Sequence, residues 1–325
     1  MKKILNLDPN NYSRHLIHGP GRTWAETNCY TDVLIEQIHA LGHEPIAALS
    51  FTLRADFEGD QWTFFKIPHS DLIDLYGLDI QELAVWRPIV VHIEELINRG
   101  SIPVLELDSF FLPDTAGTAY QIAHVKSSVS VNYIDVTNLK LGYFHNQGYH
   151  ELNGQNFIDI FQLNKLVHER ILPPYFEFIK REREVHLSKN DIFEVSRNLL
   201  KRNFALIPKN NPFIQFKERF VIDLEWLMKE EAEVFHAYSF ATLRQFGSCF
   251  ELSETYFRWL GSQTKSDIDY SGIAESFKNI SDTAKTYQFQ LARALARKKT
   301  LDLSALDSMM LSWEKGMSEI NECLT

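Results

Sequence analysis

The chain has few cysteines, and their spacing limits the kinds of site that it can carry. Cys29, Cys249 and Cys323 are its three cysteines, and they lie far apart in the sequence. An odd number of widely separated cysteines argues against a disulfide framework and points to a reducing compartment. The same spacing excludes a cysteine-rich zinc module. We therefore expect a cytoplasmic protein with free thiols.

Long apolar runs and an excess of positive charge are also absent. No stretch of about 18 consecutive apolar residues occurs, so no segment is predicted to span a membrane. Residues 1–9 become polar too soon for a signal peptide. The formal net charge of −10 argues against nucleic acid or an anionic membrane as the main partner.

The most informative segment is 28–42, which predicts a helix that begins at a cysteine. Apolar residues recur there at helical spacing, at Tyr30, Leu34, Ile38 and Leu41. Asn28 is a favourable N-cap residue and Gly42 a favourable stop, so that Cys29 becomes the first helical residue. Unpaired N–H groups and the positive end of a helix favour the thiolate, which is the nucleophilic form. The alternative is a small buried cysteine at a helix start.

The periodicity of the sequence changes along the chain and predicts two domains. Up to about residue 160, short apolar or alternating segments predict strands at 45–51, 61–67, 102–108, 124–133 and 139–145, with helices at 70–76 and 88–100. Beyond that point glycine becomes sparse and the apolar spacing becomes helical. We therefore predict an α+β domain over residues 1–160 and an all-α helical bundle over residues 161–325.

A cysteine nucleophile needs a histidine to accept and return a proton, and a polar group to orient that histidine. His124 opens the long predicted strand, and Asn146 follows the next strand. Their separation of 22 positions suits a hairpin that brings the two close. His145 is the competing candidate for the base, and a histidine buried in the core is the structural alternative for either. Asp108 ends a strand, where it either orients a substrate amine or caps a loop.

Three features of the chain carry a resemblance to an enzyme family. Asn28-Cys29-Tyr30 at a helix start, the segment 105–113 and the following strand with its histidine resemble the butirosin-biosynthesis H-type acyltransferases. Those enzymes are related to papain-like cysteine peptidases and pass an acyl group from the phosphopantetheine thiol of a carrier protein to an amine. The resemblance covers about residues 15–150 and implies a papain-like core, a helix packed on an antiparallel sheet.

A longer resemblance, over the whole chain, is to a bacterial family catalogued as domain of unknown function 1839. The matching stretches are residues 18–20, 22–24, 26–30, 56–66, 112–115 and 143–152. This family brings no established activity. Its members are similar to proteins found beside ligases that aminoacylate carrier proteins, which suits the handling of acyl groups.

The acyltransferase resemblance implies a role for each matching residue. The nucleophile falls on Cys29, the histidine on His124 and its orienting residue on Asn146, where the family more usually has Asp. The glutamine that papain-like enzymes place about six residues before the cysteine is missing, and Thr23 stands there. The oxyanion donors would then come from the backbone of Cys29 and from Asn28, Thr23 or Trp24.

These observations leave three classes of function open. The first is an acyltransferase, or a thioester or amide hydrolase, in which Cys29 carries the acyl group between a carrier protein and a small amine; it needs no cofactor of its own. The second is a non-catalytic module that binds a carrier protein or a ligase through a vestigial papain-like core. The third is a metal hydrolase using His145, His150 and Asp108, with His124 as a further candidate ligand. His145 and His150 are five residues apart, which matches no standard zinc spacing, so we expect no metal.

Overall fold

The computed structural model describes residues 2–24, 28–166, 172–181, 185, 187–263 and 268–325. Residues 25–27 lie outside the described part. Of the matching stretch 26–30, the structure therefore describes only residues 28–30. Within the described residues, no helix is both long and apolar enough to cross a lipid bilayer.

The described chain contains short strands in its first half and long helices in its second. The strands are β1 (Phe57–Glu58), β2 (Gln61–Trp62), β3 (Asp79–Glu82), β4 (Ile102–Asp108), β5 (Lys126–Asp135), β6 (Lys140–His145), β7 (Gly148–Asn153) and β8 (Phe176–Lys180). The helices are α1 (Cys29–Ala40), α2 (His69–Tyr76), α3 (Ile89–Arg99), α4 (Gln155–Ile160), α5 (Lys189–Phe204), α6 (Pro212–Leu227), α7 (Ala232–Ser239), α8 (Gln245–Ser262), α9 (Ser271–Arg297) and α10 (Ser304–Leu324). The chain is therefore α+β with a helical C-terminal region, as predicted.

The contacts divide the chain into two compact units. The first, which we call the sheet unit, comprises Met1–Gly19, Asn28–Pro45 and His69–His186. The second, the helical unit, comprises Pro20–Thr27, Ile46–Pro68 and Leu187–Thr325. We predicted a boundary at residue 160, whereas the sheet unit continues past it because β8 joins the sheet.

The sheet unit is built on a six-stranded antiparallel sheet in the order β3-β8-β4-β5-β6-β7. The predicted hairpin is confirmed, since β5 and β6 pair from Val129 with His145 to Asp135 with Lys140. The sequence analysis missed β3, β7 and β8. The first of these, Asp79–Glu82, is a largely polar strand at the edge of the sheet, so it lacks the apolar run that reveals a central strand.

The two faces of the sheet carry different chemistry because successive strand residues point to opposite sides. On one face Ser130 Oγ donates to Gln37 Oε1 of α1 at 2.8 Å. On the other face Val129 lies in the apolar core with Ile93 and Leu96 of α3. The alternation of serine and valine along β5 therefore separates a polar face under α1 from an apolar face under α3.

One predicted strand is wrong. Residues 45–51 are not extended but belong to a 3-10 helix, Pro45–Arg54. The stretch from Ile46 to Leu53 is buried throughout, so its continuous apolar character reflects burial on every side, and periodicity alone does not distinguish that from a buried strand. The predicted strand 61–67 is likewise reduced to Gln61–Trp62.

The helices of the helical unit form where the sequence has apolar residues at helical spacing. Ser188 and Asp191 form a capping box at the start of α5. Helices α9 and α10 approach closely, and a Cβ on Gly316 would lie 3.1 Å from the Phe277 ring. Glycine at that position therefore sets the spacing between the two helices.

Candidate functional site

Cys29 is the first residue of α1, where the sequence placed it. The Asn28 side chain accepts a hydrogen bond from the backbone N–H of Thr31 at 2.9 Å and so caps the helix. Asn28 is extended and buried, which fixes the direction from which the chain enters α1. The remaining N–H groups of the first turn point towards the same end as the cysteine. The thiol thus lies at the positive end of a well-anchored helix.

The Cys29 thiol faces the polar side of the sheet. Its Sγ is half-buried and lies 3.6 Å from Ser128 Oγ. Glu106 on β4 is opposite Ser128 in the strand register and therefore shares this face. Lys126, two residues before Ser128, forms an ion pair with Glu106 at 2.9 Å. Cys29 consequently opens onto charged and hydroxyl groups.

His124 lies on the same side of the sheet, at the end of the loop that precedes β5. Its Nδ1 lies 2.6 Å from Asp108 Oδ2, and its ring stacks on Phe110 with centroids 4.4 Å apart. The side chain is 69% exposed, so Nε2 faces solvent. Asp108 therefore orients the imidazole, and its other oxygen also caps the loop by accepting from the Phe110 N–H at 3.0 Å. Of the two roles that the sequence left open for Asp108, the loop cap is the one that this hydrogen bond shows.

Cys29 and His124 are not in hydrogen-bonding contact. Ser128, the partner of the thiol, lies four residues after His124, which is roughly 13 Å along an extended strand. Among the described residues, the thiol has a hydrogen bond to Ser128 and none to an imidazole. The predicted nucleophile and base thus share a face of the sheet but are separated along it.

Asn146 does not orient His124. It adopts a left-handed backbone conformation, with φ of 48°, in the turn between β6 and β7. This conformation is one that asparagine tolerates better than most residues. The partner of His124 is on β4 and not on β6, so an aspartate takes the place that we expected asparagine to hold.

His145 points to the opposite, apolar face of the sheet. Its Nε2 lies 2.7 Å from Ser127 Oγ and its Nδ1 lies 2.5 Å from Asp114 Oδ2. The Tyr143 hydroxyl donates to the other oxygen of Asp114 at 2.5 Å. Burial alone would raise the pKa of Asp114, but the hydrogen bond and charge of His145 lower it below its ordinary value. This buried chain ties the turn Pro113–Thr115 to the sheet.

The described residues contain no group of three or more His, Cys, Asp or Glu side chains arranged to hold a metal ion. His150, which the metal hypothesis required, lies 3.9 Å from Asp114. Burial lowers the pKa of His150, and Asp114 only partly offsets this effect.

Thr23 and Trp24, two of the predicted oxyanion donors, belong to the helical unit. Their backbone N–H groups donate to the two carboxylate oxygens of Glu251, at 2.5 and 3.1 Å. Arg22 completes the set with a 3.1 Å ion pair to the same carboxylate. Their N–H groups are therefore already used within that unit.

Comparison with known families covers nearly the whole chain. Residues 13–181 match the DUF1839 N-terminal domain, and residues 189–322 match the DUF1839 C-terminal domain. The chain belongs to the DUF1839 family. No curated protein matches it. The two family domains meet between residues 181 and 189, which is close to the point where the helical unit takes over from the sheet unit.

In this DUF1839 chain, sequence reasoning missed a buried ionic cluster on α1. His18 lies between Asp32, 3.1 Å from its Nε2, and Glu36, which contacts its Nδ1. All three side chains are fully buried. Burial alone would lower the pKa of His18, but the hydrogen bonds and charges of the two carboxylates raise it above its ordinary value. The signal was available, since Asp32 and Glu36 stand one turn apart on the face of α1 that also carries apolar residues.

A second missed contact holds the cysteine end of α1 to β8 in the DUF1839 fold. The Tyr30 hydroxyl donates to Glu177 Oε2 at 2.8 Å, and the Tyr175 hydroxyl donates to Glu177 Oε1 at 2.7 Å. Burial and the neighbouring Glu177 raise the pKa of Tyr30, so that it remains a neutral donor. Since Tyr30 follows Cys29 directly, this buried contact fixes the position of the first turn over the sheet.

Proposed function

We propose that this DUF1839 protein is a cysteine-dependent acyltransferase with a papain-like core. It takes an acyl or aminoacyl group from the thioester of a carrier protein and passes it to a small amine. The phosphopantetheine belongs to the carrier, so the chain needs no cofactor of its own. The observation that carries the proposal is the half-buried Cys29 thiol at a capped helix start, facing the polar side of an antiparallel sheet.

The reaction has two steps. The Cys29 sulfur attacks the thioester carbonyl, a new carbon–sulfur bond forms, and the carrier thiol leaves with a proton. The amine then attacks the acyl-cysteine, loses a proton to the base, and releases the Cys29 thiol. The N–H groups at the start of α1 stabilise the oxyanion in each step.

The proposed base is His124. Asp108 fixes its tautomer through the 2.6 Å contact to Nδ1, which leaves Nε2 as the acceptor. The structure shows His124 away from Cys29, so the proposal requires residues 116–125, which follow the anchored turn Pro113–Thr115, to carry the imidazole towards the thiol when substrate is bound.

Variants of the base and its partner test the proposal in a transfer assay with an acyl-loaded carrier protein. Cys29→Ala should abolish transfer, and His124→Gln should lower kcat about 10²-fold to 10⁴-fold. Asp108→Asn should shift the pH profile of kcat without removing activity. His236→Gln, an exposed histidine in the helical unit, is the matched control and should change nothing. Full activity in Cys29→Ala would overturn the proposal.

The separation of His124 from Cys29 favours one alternative, a non-catalytic module that binds a carrier protein or a ligase. In that case the loaded carrier would form a complex with the wild-type protein and with Cys29→Ala equally, and no acyl group would move. Binding by both proteins without transfer by either would decide for this alternative.

A further inference from the structure

The sheet unit contains a cavity on the side of the sheet that faces α3. Its volume is about 630 Å³, which lies within the range of pockets that hold small organic molecules. Leu107, Ile160 and Phe161 form part of its wall, and all three belong to the buried core. The cavity therefore offers a large apolar surface to a ligand.

Two large apolar side chains line the cavity and are nevertheless in water. Trp86 is 77% exposed and Leu172 is 88% exposed. Exposed apolar groups beside a concave surface are typical of binding sites, because a ligand that covers them removes them from water. Pro173 and Pro174 continue the wall from Leu172 and restrict its backbone.

One positively charged side chain lines the cavity. Arg87 lines the cavity with its guanidinium 5.0 Å from the centre of the Trp86 ring. Its Nε is buried and has no hydrogen-bond acceptor among the described residues. A buried donor of a charged group is costly to leave unsatisfied, so this position favours an anionic acceptor.

The start of α3 adds a second positive contribution. Pro88 and Ile89, at the beginning of this 11-residue helix, also line the cavity. The Val91 N–H donates to the Pro88 carbonyl at 2.9 Å, and no side chain among the described residues caps the helix, so the N–H groups of Ile89 and Val90 remain for a ligand. The helix start and Arg87 together favour an anion at this end of the cavity.

We propose that this cavity binds an organic carboxylate that has an apolar chain or ring. The carboxylate accepts hydrogen bonds from Arg87 and from the start of α3, and the apolar body packs against Leu107 and Phe161. The cavity is separate from the Cys29 region, since Leu107 and Glu106 are consecutive on β4 and point to opposite faces. The proposal therefore does not depend on the proposed acyl transfer.

Calorimetric titration of the full-length protein with decanoate tests the proposal. Decyltrimethylammonium is the control ligand, because it has the same ten-carbon alkyl chain with a positive head group. Decanoate should bind at one saturable site, whereas the cation should not. Arg87→Gln should weaken decanoate binding by about tenfold. Arg99→Gln, at the other end of α3, and Cys29→Ala should keep the wild-type affinity.

A pair of substitutions at an exposed position guards against loss of folding. Leu172→Asp and Leu172→Lys remove the same apolar side chain and introduce opposite charges. Because Leu172 is exposed, neither substitution buries a charge. Decanoate should bind several-fold more weakly to the aspartate variant than to the lysine variant, as expected for a charge beside an anion. The proposal would be overturned if decanoate and decyltrimethylammonium bound equally well. It would also be overturned if Arg87→Gln, Leu172→Asp and Leu172→Lys all bound decanoate with the wild-type affinity.

Discussion

The three cysteines lie in three different environments, and this gives each an expected reactivity. Cys29 is half-buried at the start of a helix, and Cys249 is fully buried in α8. Cys323 is half-buried near the end of α10, where burial and the carboxylates Glu319 and Glu322 raise its pKa. The chain therefore contains its own reference thiols for any test of Cys29.

At pH 7, iodoacetamide should alkylate Cys29 faster than Cys323 and should leave Cys249 unmodified in the folded protein. The physical reason is that burial and the carboxylates Glu319 and Glu322 raise the pKa of Cys323, and that burial shields Cys249 from the reagent. Peptide mapping by mass spectrometry after timed quenching measures the three rates in one sample. Equal rates at Cys29 and Cys323 would show that the position of Cys29 gives it no special reactivity.

His18 should make stability depend on pH. Its folded-state pKa is raised by Asp32 and Glu36, so its contribution is fully present below the unfolded pKa near 6.5 and is lost as the pH rises through the folded value. His18→Gln should destabilise the protein by about 3–5 kcal/mol at pH 6, since it removes the buried histidine that lies between the two carboxylates.

Urea unfolding of wild type and His18→Gln across pH 6–9 measures this difference. The difference in the free energy of unfolding between wild type and His18→Gln should become smaller as the pH rises. A gap that stays constant over this range would mean that His18 is not the titrating group.

At the scale of elements, helix α8 carries two glycines in contrasting surroundings. A Cβ on Gly247 would lie 2.4 Å from the Trp24 ring, which is buried in the same unit. A Cβ on Gly261 would meet Tyr270 only at 3.9 Å, an ordinary contact. The ring of Trp24 is further held by a 2.9 Å hydrogen bond from its indole N–H to Ser281.

Gly247→Ala should therefore destabilise the helical unit by about 1–3 kcal/mol through overpacking. Gly261→Ala should be neutral or stabilising by up to about 1 kcal/mol, because alanine favours a helix interior. Thermal unfolding followed by circular dichroism compares the two. A similar Tm for both variants would show that Trp24 moves aside freely.

The elements that the sequence predicted are those with a strong local signal. Helices α1, α2 and α3 have apolar residues at helical spacing with a glycine after them, and β5 alternates between serine and valine. The segment from Ile46 to Leu53 was misread because complete burial removes the period that separates helix from strand. Strand β8 was missed because it follows a long interval and joins the sheet between β3 and β4, which local sequence does not show.

The candidate site was predictable only in part, for a similar reason. Cys29 and its cap Asn28 are neighbours in sequence, so their arrangement could be predicted from local rules. The partner of His124 depends on which strands pair, and β4 rather than β6 supplies it through Asp108. The two carboxylates of the buried cluster, Asp32 and Glu36, were recognisable one turn apart on α1. Their partner His18 was not, because its position depends on how the lead-in segment folds onto α1.

At the scale of the whole molecule, Cys29, Asp108 and His124, the residues proposed to act in acyl transfer, all belong to the sheet unit. The C-terminal part of the helical unit matches the DUF1839 C-terminal domain, whereas Thr23 and Trp24 of that unit lie within the match to the N-terminal domain. The proposed function thus rests on the sheet unit, and the negative net charge of the chain makes a specific contact, rather than general attraction, the basis for binding a carrier protein.

The most direct test of the central claim is the intact mass of the protein after incubation with an acyl-loaded carrier protein and no amine. Wild type and Cys323→Ser should both gain the mass of one acyl group, and hydroxylamine should remove it, as expected for a thioester. Peptide mapping should place the group on Cys29, and Cys29→Ala should gain nothing. An unchanged mass for the wild-type protein, with the carrier still loaded, would contradict the account.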